Sequence, residues 1–247
     1  MNVNIVAIDP SIISTGLVIN GKVFSIVAEH LVKTKTGKMK KWFEHVDDYC
    51  DIIEIDISYQ GIKKYSELET TKLKTFQSTV KIITDLVDKH TDSTYNTICL
   101  IEGYSYSSAA GPLIDLVGFG TLVRQAMDSR GDLVVLAPTS LKLAAAKLTY
   151  PVVQKGKKVE CRNYNGVAGG GFSKHDMYRA LTEMTYRWSR WQDLLKLHED
   201  EVMSTSSVPK PIEDLNDSFL LYYVADQMFK TQCDFDSKKT IENLRLI

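Results

Sequence analysis

Cysteine is scarce in this chain and never paired at metal-binding spacing. Cys50, Cys99, Cys161 and Cys233 stand far apart, and none belongs to a Cys-x-x-Cys. A zinc knuckle and a dense disulfide framework are therefore excluded, and the thiols read as reduced and structural. Long apolar runs are also missing, because nothing approaches the roughly 20 residues a membrane helix needs. Met1 to Pro10 carries an acidic residue and no basic cluster, so no export signal is read there. The expectation is a soluble, cytoplasmic protein without a membrane partner. Neither sign of charge is in excess, since 30 Lys+Arg stand against 31 Asp+Glu for a net charge of −1. Any nucleic-acid surface must then arise from charges segregated on the fold.

What is present is ordinary globular material. Hydrophobic residues make up 44% of the 247 and charged residues 25%, enough to bury a sizeable core. The chain reads as one domain over 1–247 carrying three insertions, at about 29–66, 150–172 and 188–211.

Val3 to Ile8, Gly16 to Ile19 and Val23 to Ala28 read as strands, the last two joined by Asn20-Gly21, a strong hairpin signal. Lys33, Lys35, Lys38, Lys40 and Lys41 occur without an acid among them, which suggests an inserted loop or extended hairpin. Leu73, Phe76, Val80, Ile83, Leu86 and Val87 recur at helical spacing. Thr97 to Ile101 suits a strand buried on both faces, with Glu102 directly after it. Pro112 to Met127 reads as a helix, Leu133 to Leu136 as a strand and Pro138 to Leu148 as a helix with Pro in its first turn. The alternation implies an α/β sheet. A Lys-rich hairpin with Gly156 at its tip, a glycine-rich segment and a helix capped by Ser173 follow. Thr205 to Pro211 is loop-like, and a helix runs from about Glu213 to Phe229.

Four acids sit where apolar elements begin or end: Asp9, Glu102, Asp214 and Asp217. The last two, three residues apart, share one helix face. Singly, each has a structural explanation, as a partner of a helix dipole or a cap of a turn. Jointly they would repel unless a cation lay between them, and oxygen-only donors point to Mg²⁺ with Mn²⁺ as a substitute. Two such ions roughly 4 Å apart could activate water and stabilise the leaving oxygen at a phosphodiester.

Val6-Ala7-Ile8-Asp9-Pro10-Ser11 followed by Thr15-Gly16 resembles the first motif of RuvC-like Holliday junction resolvases. Cys99-Leu100-Ile101-Glu102 resembles the second motif, and Glu213-Asp214-Leu215-Asn216-Asp217-Ser218 the last, an Asp-x-x-Asp opening the final helix. Ala137-Pro138-Thr139-Ser140-Leu141-Lys142 is similar to the intervening Pro-x-x-x-Lys segment, and Ser173-Lys174 to the lysine at the next helix start. The family usually has Gly where Ser11 stands. The resemblance implies a ribonuclease H-like α/β fold, a mixed central sheet flanked by helices. It further implies two-metal endonuclease cleavage of branched DNA by Asp9, Glu102, Asp214 and Asp217, in a homodimer serving DNA recombination. A phage or other viral source, in a host cytoplasm, is the corresponding expectation.

Charge is in fact segregated. Lys142, Lys147, Lys155, Lys157, Lys158, Arg162 and Lys174 face only Glu160 in that stretch, and such lysines hold phosphates without reading bases. Lys142, Lys147 and Lys174 are the candidate phosphate contacts. Tyr104 and Tyr106 either stack on an unpaired base at a branch point or serve as core or dimer-interface aromatics. His175 either orients water or sits on the surface, and Trp188 with Trp191 pack an inserted helix.

Other readings share parts of this pattern. Ribonuclease H-type cleavage of an RNA–DNA hybrid, or a general structure-selective nuclease, needs the same acids. An actin-like ATPase would use Asp9 with Ser14-Thr15-Gly16 but lacks a second Asp-Gly phosphate loop downstream. A non-catalytic DNA-binding protein would keep the lysines without needing four acids.

Overall fold

The computed structural model describes residues 3–33, 38–57, 59, 61–104, 110–150, 152–155, 158–163, 165–183 and 190–231. Three strands open the chain, β1 (Val3–Asp9), β2 (Ser14–Ile19) and β3 (Lys22–Ala28). Asn20 and Gly21, both at positive φ, make the tight turn between β2 and β3 that the Asn-Gly pair anticipated. Two short helices, α1 (Glu29–Lys33) and α2 (Lys38–Val46), lead to β4 (Asp51–Ile55). The crossover helix α3 (Tyr65–His90) precedes β5 (Asn96–Glu102), and α4 (Ala110–Asp128) precedes β6 (Asp132–Leu136). Then come α5 (Pro138–Thr149), the hairpin β7 (Val152–Lys155) and β8 (Lys158–Cys161), and α6 (Lys174–Glu183). The described chain closes with α7 (Arg190–Leu197), α8 (Glu199–Met203) and α9 (Ile212–Thr231).

The main sheet has six strands in the order β4-β3-β2-β1-β5-β6. β1, β2 and β3 form an antiparallel meander, while β3 with β4, β1 with β5 and β5 with β6 are parallel. This is the expected mixed sheet, and helices cover both of its faces. Alternation along the strands assigns the layers. Ile5, Ala7, Val18, Ile98, Leu100 and Leu136 pack with α5, α6, α7 and α9. Val6, Ile8, Leu17, Ile26, Cys99 and Ile101 pack with α3 and α4 through Phe76, Ile83, Val87, Phe119 and Val123.

Two departures have clear physical reasons. The lysine-rich stretch from Lys33 lies partly in α2 rather than in a loop or hairpin, because Trp42, Phe43 and Val46 give that helix a buried face. The strand β4 was not apparent in the sequence, and it extends the main sheet as an edge beside β3. Residues 34–37, 156–157 and 188, among them Lys35, Gly156, Lys157 and Trp188, lie outside the described residues, as does Cys233. Cys50, Cys99 and Cys161 are free and buried, as expected of structural thiols. Burial pushes the Cys50 and Cys99 thiols up to about 12. Among the described residues no helix is long and apolar enough to cross a membrane.

Candidate metal centre and cleft

Strand parity aims the first two carboxylates. Asp9 continues the alternation of Ile5 and Ala7, and Glu102 that of Ile98 and Leu100, so both leave the sheet on the side covered by α9. The parallel register places Ile8 beside Ile101, which brings Asp9 and Glu102 together at the carboxyl ends of neighbouring strands. In the antiparallel ladder Asp9 pairs with Gly16.

Gly16 decides how close the final helix can come. A Cβ built there would lie 2.2 Å from the Asp214 carbonyl oxygen and 2.7 Å from Ser218 Oγ. Only a hydrogen at this position lets the first turn of α9 rest on β2, directly opposite Asp9. That turn is steadied from the other side by buried Trp191, whose Nε1 donates to Asn216 Oδ1 at 3.0 Å.

The result is a cluster in which donor oxygens of Asp9, Glu102 and Asp217 all lie within 4.8 Å of one another. Asp214 is buried one turn away, and its charge acts on Asp9. Asp9 is pushed well above the usual carboxylate range by burial and by Glu102, Asp217 and Asp214, and it is hydrogen-bonded to Glu102. Burial and the charge of Asp217 likewise raise Glu102 from 4.5 to about 7. Asp214 is raised to about 6 by burial, against the opposing pull of Lys210. Burial raises Asp217 too, with Lys174 pulling it back. Burial first, and mutual repulsion second, thus favour the protonated carboxyls in this cluster.

Two lysines supply part of that charge. Lys174 forms an ion pair with Asp217 and lies 3.6 Å from Glu213; Lys210 forms an ion pair with Asp214 and lies 3.5 Å from Glu213. Burial works against the charge of each, yet the surrounding carboxylates hold both ammonium groups above the ordinary lysine value. Asp214 Oδ2 and Asp217 Oδ1 remain buried without a hydrogen-bond partner. A partnerless buried acceptor costs about 1–3 kcal/mol. Orphaned oxygens beside clustered carboxylates are what a hard divalent cation satisfies, so the donor set fits Mg²⁺ or Mn²⁺ chemistry.

Lys174 is delivered by a reciprocal cap. Ser173 Oγ accepts from the Asp176 N–H at 3.1 Å, and Asp176 Oδ2 accepts from the Ser173 N–H at 2.8 Å. Asn163 Nδ2 donates to the other Asp176 oxygen at 2.9 Å and ties the preceding loop to this helix start.

A cleft of about 240 Å³ opens on the cluster, lined by Asp9, Glu102, Tyr104, Pro138, Lys142 and Lys174 among others. Five of the residues singled out from sequence therefore share one concavity. Tyr104 is anchored on α4: its hydroxyl donates to the Val117 carbonyl at 3.1 Å, and the Arg124 guanidinium lies 4.1 Å from its ring centroid. Lys147 is exposed farther along α5, close enough to Cys161 to act on its thiol, and is not part of the cleft lining. Tyr106 lies outside the described residues. Lys210, the positioning role of Gly16 and the Trp191–Asn216 bond were missed in the sequence. The one available signal for Lys210 was its place four residues before Asp214, one helical turn away.

No protein-family model matches the chain, and no curated protein does. Among solved structures the chain is similar to RuvC of Thermus thermophilus, at 9% identity over 92% of this chain and 95% of that one, with a TM-score of 0.44.

Proposed function

We propose that the protein is a divalent-metal-dependent endonuclease that cleaves phosphodiester bonds in branched DNA, of the Holliday junction resolvase kind. The observation that carries the reading is the convergence of Asp9, Glu102 and Asp217 within 4.8 Å, with Asp9 and Glu102 lining a cleft that Lys142 and Lys174 also line. Asp9, Glu102, Asp214 and Asp217 would hold the metal ions. Bound there, Mg²⁺ supplies an activated water and charge stabilisation for the leaving oxygen.

The chain's own side chains prepare the reaction. Orphaned oxygens on Asp214 and Asp217 are fixed by burial and by the lysine pairs rather than by solvent. Lys142 and Lys174 offer ammonium groups to backbone phosphates on one wall, which positions a strand without reading its bases. Because the protonated forms of Asp9 and Glu102 are favoured by burial and by neighbouring carboxylates, cations entering there would displace protons. Cutting a symmetric junction requires two such centres, and we propose that a homodimer provides them.

Cleavage of a labelled four-way junction, a flap, an RNA–DNA hybrid and a plain duplex in Mg²⁺, with EDTA as control, tests this. Paired nicks confined to the junction, lost in Asp9→Asn while DNA binding persists, are the expected result. Cleavage of the hybrid alone would move the function to RNA removal, and cleavage retained by Asp9→Asn would remove Asp9 from the chemistry.

A further inference from the structure

A second group of metal-type donors lies away from the acids. His45 lies in the last turn of α2, His198 precedes α8, and Glu201 lies in α8; one ligand atom from each falls within 4.8 Å of the other two. The spacing from His198 to Glu201 puts both on one helical face, whereas His45 arrives from more than 150 positions earlier in the chain.

The local chemistry is not that of simple packing. The two imidazoles stack with centroids 4.1 Å apart, and Trp42, itself buried, edges against both rings. His45 Nε2 is buried and has no hydrogen-bond partner. His198 Nδ1 lies 4.0 Å from Glu201 Oε2, too long for a hydrogen bond. Glu201 Oε1 is held by Lys41 at 2.6 Å, which orients the carboxylate and leaves Oε2 for another partner.

We propose that His45, His198 and Glu201 form a structural site for a zinc-class transition metal, with Lys41 orienting the carboxylate ligand. Two imidazoles and one carboxylate suit Zn²⁺ far better than Mg²⁺, and a water or another donor would complete four-coordination. Bridging α2 to α8, the ion would fix one wall of a cavity of about 710 Å³. That cavity runs from Lys41, Trp42 and Glu201 to Lys210 and Glu213 beside the candidate nuclease centre.

The test is binding of Zn²⁺, and of Co²⁺ as a spectroscopic probe, to the chelator-stripped full chain in saturating Mg²⁺. One equivalent of Zn²⁺ should bind and raise the melting temperature, and Co²⁺ should show the visible bands of tetrahedral nitrogen and oxygen ligation. His45→Phe keeps a ring in the stack and Glu201→Gln keeps the helix, and each should lose that equivalent. Lys41→Gln should weaken Zn²⁺ about tenfold. Asp9→Asn should bind as well as the parent. Absence of Zn²⁺ binding in Mg²⁺, its loss in Asp9→Asn, or its persistence in Glu201→Gln with the fold intact by circular dichroism would overturn the site.

Discussion

Glu102 makes the electrostatic state of the metal-free protein measurable. Its carboxyl is raised from 4.5 to about 7 in the folded chain, chiefly by burial and by Asp217. Between those values the folded state holds a proton that the unfolded state has released, so stability falls as pH rises through this window. The displacement corresponds to about 3 kcal/mol lost above the folded value. Asp214, raised to about 6, titrates in the same direction. Glu102→Gln removes the ionisation while keeping the shape. In EDTA at pH 8 it should therefore stabilise the protein by about 3 kcal/mol, or ~6–12 °C in melting temperature for a chain of this size. At pH 4, where the glutamate is protonated, the variant should match the parent. Saturating Mg²⁺ should raise the parent's melting temperature at pH 8 and raise that of the variant less. The assay is thermal unfolding across pH 4 to 8, with and without metal. A flat metal-free pH profile for the parent, or a destabilised Glu102→Gln at pH 8, would refute the reasoning.

Two further outcomes follow from the same geometry. Gly16→Ala places a methyl group 2.2 Å from the Asp214 carbonyl, so α9 must shift; a loss of about 1–3 kcal/mol in urea unfolding and weaker Mg²⁺ binding by calorimetry are expected. Lys210→Met strips Asp214 of its ion pair and should cost about 3–5 kcal/mol in EDTA at pH 8, most of it recovered when Mg²⁺ is added.

The strand ends were legible because continuous apolar runs stop abruptly at Asp9 and Glu102, as strands buried on both faces do. The Asp214–Asp217 pair was legible because its spacing matches one helix face. Ser173 as a cap held, and Asp176 proved to be its reciprocal partner. What escaped were interactions set by tertiary approach. The cost of a side chain at Gly16 exists only once α9 lies against β2. Lys210 sits between two prolines in a loop, where no periodicity assigns it a direction. In α2 a run of lysines masked the buried face made by Trp42, Phe43 and Val46, and β4 carries too little alternation to show that it pairs with β3.

The last described helix has a consequence for synthesis on the ribosome. α9 lies against β1, β2, β3 and β5 together with α5 and α6, and its residues from Ile212 to Asp226 are almost all buried. The strands bearing Asp9 and Glu102 emerge long before it. A nascent chain short of residue 212 would hold two of the acids over a sheet face, including Val18 and Leu100, from which α9 is still missing. Covering that face and bringing Asp214 and Asp217 to the other acids are then one event, so the four-acid cluster cannot assemble before the core is complete.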